Sequence, residues 1–259
     1  MAIDPKMLRE AQLVMLEMLV EFDAICKKHN LQYWLDSGTL LGAVRHQGFI
    51  PWDDDIDLSM PVEDYRRFKE IAQDELSKNI FFQTSTTDKG FKFDYMKLRS
   101  NKVKIVEFHE KGKDVDYHQG IFVDIFPMLT LPNTEFHQAF YEDAFKLIRD
   151  VSSISLHTPN GKDHPKVRKA LLEALNEMHE GWDKEDTKVI YSGKMPDIAV
   201  WFDLDEVFPL KTIEFEGLEF CAPNNPKHYL KSIYSFNFME LPPLDKRMIH
   251  AESIIFRKS

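Results

Sequence analysis

Carboxylates two positions apart on an extended chain point the same way. In Asp53-Asp54-Asp55-Ile56-Asp57-Leu58 the side chains of Asp55 and Asp57 therefore converge on one face, while Ile56 and Leu58 take the other. Like charges this close repel unless a proton or a cation is shared between them, and an oxygen-only donor set suits a hard ion, Mg²⁺ with Mn²⁺ as substitute. Asp53 is a weaker candidate ligand. A solvated acidic loop would use the same residue types, although Pro51, Trp52 and the interleaved apolar residues argue for a strand. A calcium loop of the EF-hand type fails in detail: Leu58 replaces the turn glycine, Pro61 fills a ligand slot and Asp64 replaces the closing glutamate.

Asp124 lies inside the apolar run Ile121-Phe122-Val123-Asp124-Ile125-Phe126, where an unpaired carboxylate is costly to bury. It needs either a structural partner or a place as third carboxylate at the metal site. Ser37-Gly38-Thr39 opens a helix, and its backbone N–H groups at a positive helix end suit a phosphate, as well as an ordinary cap. Arg45 at the end of that helix, with Lys97 and Arg99 on one face of a candidate strand, are the cations phosphoryl transfer would use; as surface charges they need no such role.

These residues must be positioned by a mixed α/β core. Leu8, Ala11, Met15, Met18, Phe22 and Ile25 recur at helical spacing, and Lys27, Lys28 and His29 close that helix favourably for its dipole. Residues 31–36 read as a short strand, Ser37-Gly38 as the turn into a second helix, 48–54 as a loop, 55–60 as a strand and 63–76 as a third helix. Residues 81–87 and 93–99 look like strands, and 120–126 has the continuous apolar character of a central one. A helical pattern fills 134–181, and 200–220 is strand-like with a hairpin turn at Glu216-Gly217.

With 43% hydrophobic residues in 259, the chain can bury a large core. A net charge of −10 argues against a sequence-tolerant nucleic-acid surface, which depends on Lys and Arg. The two cysteines, Cys26 and Cys221, are too few for a disulfide framework. No run of eighteen apolar residues and no signal-peptide layout is present, so the expected location is the cytoplasm, without a membrane span. The sequence does not specify the oligomeric state.

The segments Tyr33-Trp34-Leu35-Asp36-Ser37-Gly38-Thr39-Leu40-Leu41-Gly42-Ala43-Val44-Arg45 and Gly48-Phe49-Ile50-Pro51-Trp52-Asp53-Asp54-Asp55-Ile56-Asp57 resemble the LicD family of phosphotransferases. The resemblance continues through Lys97-Leu98-Arg99, Gly120-Ile121-Phe122-Val123-Asp124-Ile125-Phe126-Pro127, Phe215-Glu216-Gly217 and Leu241-Pro242-Pro243. It implies a nucleotidyltransferase-like mixed sheet with flanking helices and an additional helical region. The expected division is a catalytic core over 1–130, a mainly helical lobe over 131–195 and a segment packing back on the core over 196–259. It also implies a catalytic set of Asp55, Asp57 and Asp124, with metal held by Asp55 and Asp57, and a phosphate-facing helix opened at Gly38. The implied donor is CDP-choline and the implied acceptor a hydroxyl of a bacterial surface glycan, lipooligosaccharide or teichoic acid. CDP-ribitol or a nucleoside triphosphate is the alternative donor, and a non-catalytic metal- or glycan-binding domain the alternative class. A choline group needs aromatic faces, for which Trp34, Trp52 and Tyr95 are the candidates near the motifs. Where the family pattern expects an acidic pair, this chain has Tyr234-Ser235-Phe236-Asn237-Phe238-Met239, which bears on substrate choice.

Overall fold

The computed structural model describes residues 3–91, 93, 95–132, 187–195, 198–234 and 237–257. Helix α1 (Pro5–His29) starts where the Asp4 carboxylate accepts from Lys6 N at 2.9 Å, and ends at Asn30, which turns left-handed at φ 50°. Its apolar stripe, Leu8 to Ile25, is buried, and Phe22 meets Phe68 of α3 (Val62–Glu75) edge to face at 4.9 Å. Between them run β1 (Trp34–Leu35), α2 (Ser37–His46) and β2 (Ile56–Pro61).

The strands β3 (Ile80–Gln83), β4 (Met96–Glu107), β5 (Gly120–Pro132), β6 (Thr187–Met195), β7 (Ile198–Asp203) and β10 (Ala251–Phe256) join β1 and β2 in one mixed sheet. Its spine is β1-β2-β5-β4-β10, with β3 on β4 and with β6 linking β5 to β7. Only the β2–β5 pair is parallel among the described pairings, and it is central: Val123 and Ile125 are fully buried opposite Ile56 and Leu58. The four-residue helix α4 (Leu204–Val207), a separate hairpin of β8 (Lys211–Phe215) and β9 (Leu218–Ala222), and α5 (Pro226–Tyr234) complete the described elements used below. The mixed α/β class expected from the sequence is borne out.

Several boundaries differ, each because a partner or a local bond intervenes. β3 stops at Gln83 because Thr84 and Thr87 close a turn, Thr84 N donating to Thr87 Oγ1 and Thr87 Oγ1 to Phe82 O, both at 2.8 Å. β4 and β5 outrun the expected 93–99 and 120–126 because β10 pairs with 103–107 and β6 with 128–132. Residues 187–195, grouped from sequence with the helical stretch, are strand β6. The helical pattern at 134–181 lies outside the described residues. No helix among those described is long and apolar enough to cross a membrane.

Candidate functional site

The α2–β2 connection places the acidic run. A Cβ on Gly42 of α2 would lie 2.5 Å from Gly48 O, so the helix and the returning loop approach to backbone contact that only glycine permits. Asp57 is pinned from both sides of its peptide, its N–H donating to Thr39 Oγ1 at 2.9 Å and its C=O accepting from Asp36 N at 3.0 Å. Asp36 caps α2, accepting from Ser37 N at 2.6 Å and from Ser59 Oγ; Ser37 itself is left-handed at φ 44°. The carboxylate of Asp53 sits over the head of the helix, where a Cβ on Gly38 would be 3.0 Å from its Oδ2.

Sheet register brings the remaining groups into one row. Asp57 on β2 lies opposite Asp124 on β5, which lies opposite Lys97 on β4, so all three share a face. Lys97 Nζ is 2.8 Å from Asp124 Oδ1 and donates to Oδ2 at 3.1 Å, in a pair with 5% and 8% of its side chains exposed. The same ammonium lies 3.3 Å above the Phe122 ring. Asp124 thus has a structural partner whatever its chemical role.

The other cations and Thr39 are engaged inside the protein. Arg99, 2% exposed, donates to Gln83 Oε1 at 2.7 Å and Gly120 O at 2.8 Å. Arg45 donates to the carbonyls of Phe238 at 2.7 Å and Glu240 at 3.1 Å, fastening the segment after α5. Thr39 is buried with its hydroxyl on Asp57 N. Trp34 is fully buried, its Nε1 donating to Tyr229 Oη at 3.1 Å, so it cannot reach a ligand; one face of Trp52 carries Arg247, 4.2 Å from the ring centre. Tyr95 belongs to a cluster with Phe91, Phe93 and Phe126, 4.7 Å from Phe126.

Three residues join the site that the sequence reading did not assign to it. Asp54 is 2% exposed, and its oxygens accept from His250 N at 3.1 Å and Ala251 N at 2.5 Å. His250 Nδ1 is 3.1 Å from Asp54 Oδ1 and 3.9 Å from Asp55 Oδ2. The bond to Asp54 raises its pKa above the ordinary histidine value. Tyr234 faces the same carboxylates: burial, then the charges of Asp57, Asp36, Asp53 and Asp55, hold its hydroxyl above the usual range. Both residues come from chain regions remote in sequence, and no local spacing signals their arrival.

Electrostatics favour a cation here. Burial first and the charge of Asp57 next push the Asp53 carboxyl up to about 7, and the same causes raise Asp55 well above the carboxylate range. Asp55 also feels the charges of Asp53, Asp54 and Asp124, so the carboxyls crowd one another. An oxygen-only cluster that holds a proton where a cation would relieve it fits Mg²⁺, which needs one or two carboxylates plus substrate oxygens. Among the described residues, the one triad with ligand atoms within 4.8 Å of one another is elsewhere, Glu107, His109 and Glu110. There Glu107 and Glu110 form a capping box, and Glu110 also accepts from Tyr117 Oη at 2.5 Å and Gln119 Nε2 at 2.9 Å.

A pH dependence follows. The unfolded Asp53 carboxyl loses its proton near pH 4 and the folded one near 7, so raising pH across that window costs the metal-free folded state. Asp53→Asn is expected to raise the metal-free melting temperature at pH 8 and leave it nearly unchanged at pH 4. Equal shifts at both values would contradict a raised Asp53 carboxyl.

Residues 30–153 match the family described as LicD/FKTN/FKRP, nucleotidyltransferase domain. A 78-residue stretch is 46% identical to the lipopolysaccharide cholinephosphotransferase LicD of Haemophilus influenzae, covering 30% of this chain and 29% of that protein. Human ribitol 5-phosphate transferase FKRP is 32% identical over 69 residues, 27% of this chain and 14% of that one. Mouse ribitol-5-phosphate transferase FKTN is 27% identical over 117 residues, 42% of this chain and 25% of that one. The matched stretch thus spans less than a third of each of these relatives. The matched interval contains α2, β2, β4 and β5, with every carboxylate of the row, so the part of the chain that carries the candidate site is the part similar to the LicD/FKTN/FKRP nucleotidyltransferase domain.

Proposed function

We propose that this chain is a cytoplasmic, Mg²⁺-dependent phosphotransferase that moves phosphocholine from CDP-choline to a hydroxyl of a bacterial surface glycan, lipopolysaccharide-type or teichoic acid, releasing CMP. The observation that carries the reading is the convergence of Asp53, Asp55 and Asp57 beside the head of α2, where the Asp53 carboxylate lies 3.0 Å from where a Cβ on Gly38 would stand and crowding raises Asp53 and Asp55. The match to a cholinephosphotransferase supports the donor.

Asp55 and Asp57 would hold Mg²⁺, with Asp53 beside them. When bound, the ion supplies charge neutralisation at the donor's phosphate oxygens. The head of α2 at Gly38 orients the donor phosphate, and Thr39 and Asp36 keep the Asp57 backbone fixed while it does so. Asp124 is committed to an ion pair with Lys97 at 2.8 Å, so the role proposed for it is electrostatic or ligating. Such transfers rest mainly on positioning and charge stabilisation. Of the aromatic cluster of Phe93, Tyr95 and Phe126, the exposed Phe93 is the ring proposed to offer a face to a quaternary ammonium.

A second donor, CDP-ribitol, is favoured by the matches to two ribitol 5-phosphate transferases. CMP release measured with CDP-choline and a panel of surface glycans is expected to need both Mg²⁺ and acceptor. Release from CDP-ribitol, with none from CDP-choline on any acceptor, would replace the first reading with the second.

A further inference from the structure

The carboxylates are delivered by the loop from Gln47 to Asp55, and that loop is fastened from outside by a chain of polar contacts. At the tip of the β8–β9 hairpin Glu216 is left-handed at φ 55° and Gly217 at 75°, which turns the Glu216 side chain onto the loop. Its N–H donates to Gln47 O at 2.9 Å, its Oε1 accepts from Phe49 N at 3.0 Å, and a Cβ on Gly48 would collide with that same oxygen. Both oxygens also take Arg9 of α1, at 3.0 and 2.6 Å. Arg9 Nη1 donates onward to Gln12 Oε1 at 3.2 Å, one turn along the helix. Gln12, 3% exposed, spends its amide hydrogens on the loop, donating to Ile50 O at 3.3 Å and to Asp53 O at 2.9 Å. A continuous path of hydrogen bonds therefore runs from the hairpin, through α1, to the peptide of the residue whose carboxylate covers Gly38.

We propose that Glu216, Arg9 and Gln12 form a positioning relay for the metal-binding loop, setting where Asp53 and Asp55 stand relative to the head of α2. The relay rests on the metal reading of the site given above. A buried glutamine that gives its donors to two carbonyls of one loop fixes that loop more narrowly than apolar packing would, because hydrogen bonds carry direction as well as distance. The relay touches neither substrate nor ion; it acts through the loop.

Glu216→Gln and Gln12→Leu, made singly and together in the full chain, test this beside Ile254→Ala on β10 as a variant destabilised away from the loop. Amide hydrogen exchange over residues 49–54 and Mn²⁺ affinity are the readouts. Exchange at Phe49 and Asp53 is expected to rise in both relay variants, Mn²⁺ affinity to fall about tenfold in each, as when an outer-shell partner of a metal ligand is lost, and the double variant to lose less than the product of the two. Ile254→Ala is expected to leave both readouts at the wild-type value. Unchanged exchange over 49–54 in Gln12→Leu would overturn the relay whether or not metal binds. Absence of Mn²⁺ binding by the wild type, with exchange raised in the variants, would instead overturn the metal reading and leave the relay as the loop's fastening; raised exchange with unchanged Mn²⁺ affinity would overturn the positioning role.

Discussion

Asp57→Ala is expected to lower transfer on the order of 10²–10³-fold, the scale of removing one preorganised group from a charge-stabilising site, while the protein stays folded. The Asp57 backbone is held by Thr39 Oγ1 and Asp36 N, and neither bond involves the carboxylate that the substitution removes. Deleting one of several crowded carboxylates also relieves repulsion, so the metal-free melting temperature should hold or rise. Asp54→Ala is the contrasting case. That side chain accepts from His250 N and Ala251 N, so its loss should unfasten the start of β10 and lower stability. Turnover and thermal denaturation measured on both variants check the pair: activity retained in Asp57→Ala would remove it from the catalytic set, and a melting temperature lowered more in Asp57→Ala than in Asp54→Ala would reverse the assignments.

Lys97→Met should be the most damaging single change to the fold itself. It leaves Asp124 buried with neither its ion pair nor water, and breaking a buried pair from one side costs about 3–5 kcal/mol. Adding Asp124→Asn to Lys97→Met removes the stranded charge and should recover much of that loss. Urea denaturation of the two variants reads the difference. A loss below ~1 kcal/mol in Lys97→Met would place the pair in a wetter environment than its burial implies.

Much of the fold was legible because its signals are local. The apolar periodicity of α1, the two-residue alternation of β2 and the unbroken apolar run of β5 each report a face or a depth, and each element forms there. Alternation also places Lys97 and Arg99 together on β4, and Asp57 on the face of β2 opposite to its apolar neighbours Ile56 and Leu58. What sequence could not supply is which partner consumes a given donor. Arg99 is taken by Gln83 and by a carbonyl of β5, and Arg45 by carbonyls almost two hundred residues away. Both contacts depend on tertiary assembly, which leaves no mark on local spacing. Tyr234, at the end of α5, and His250, just before β10, reach the carboxylates in the same way, through tertiary assembly of segments far along the chain.

Arg45 holds the segment after α5 by its main-chain oxygens, at Phe238 and Glu240. Every amino acid carries that oxygen, so the anchor is blind to the side chains it secures. Side chains of residues 237–240 can therefore change without loosening this attachment, whereas Gly42, where a Cβ would meet the Gly48 carbonyl at 2.5 Å, admits no replacement. Exchange of one transferred group for another in related chains would accumulate on the side that Arg45 grips.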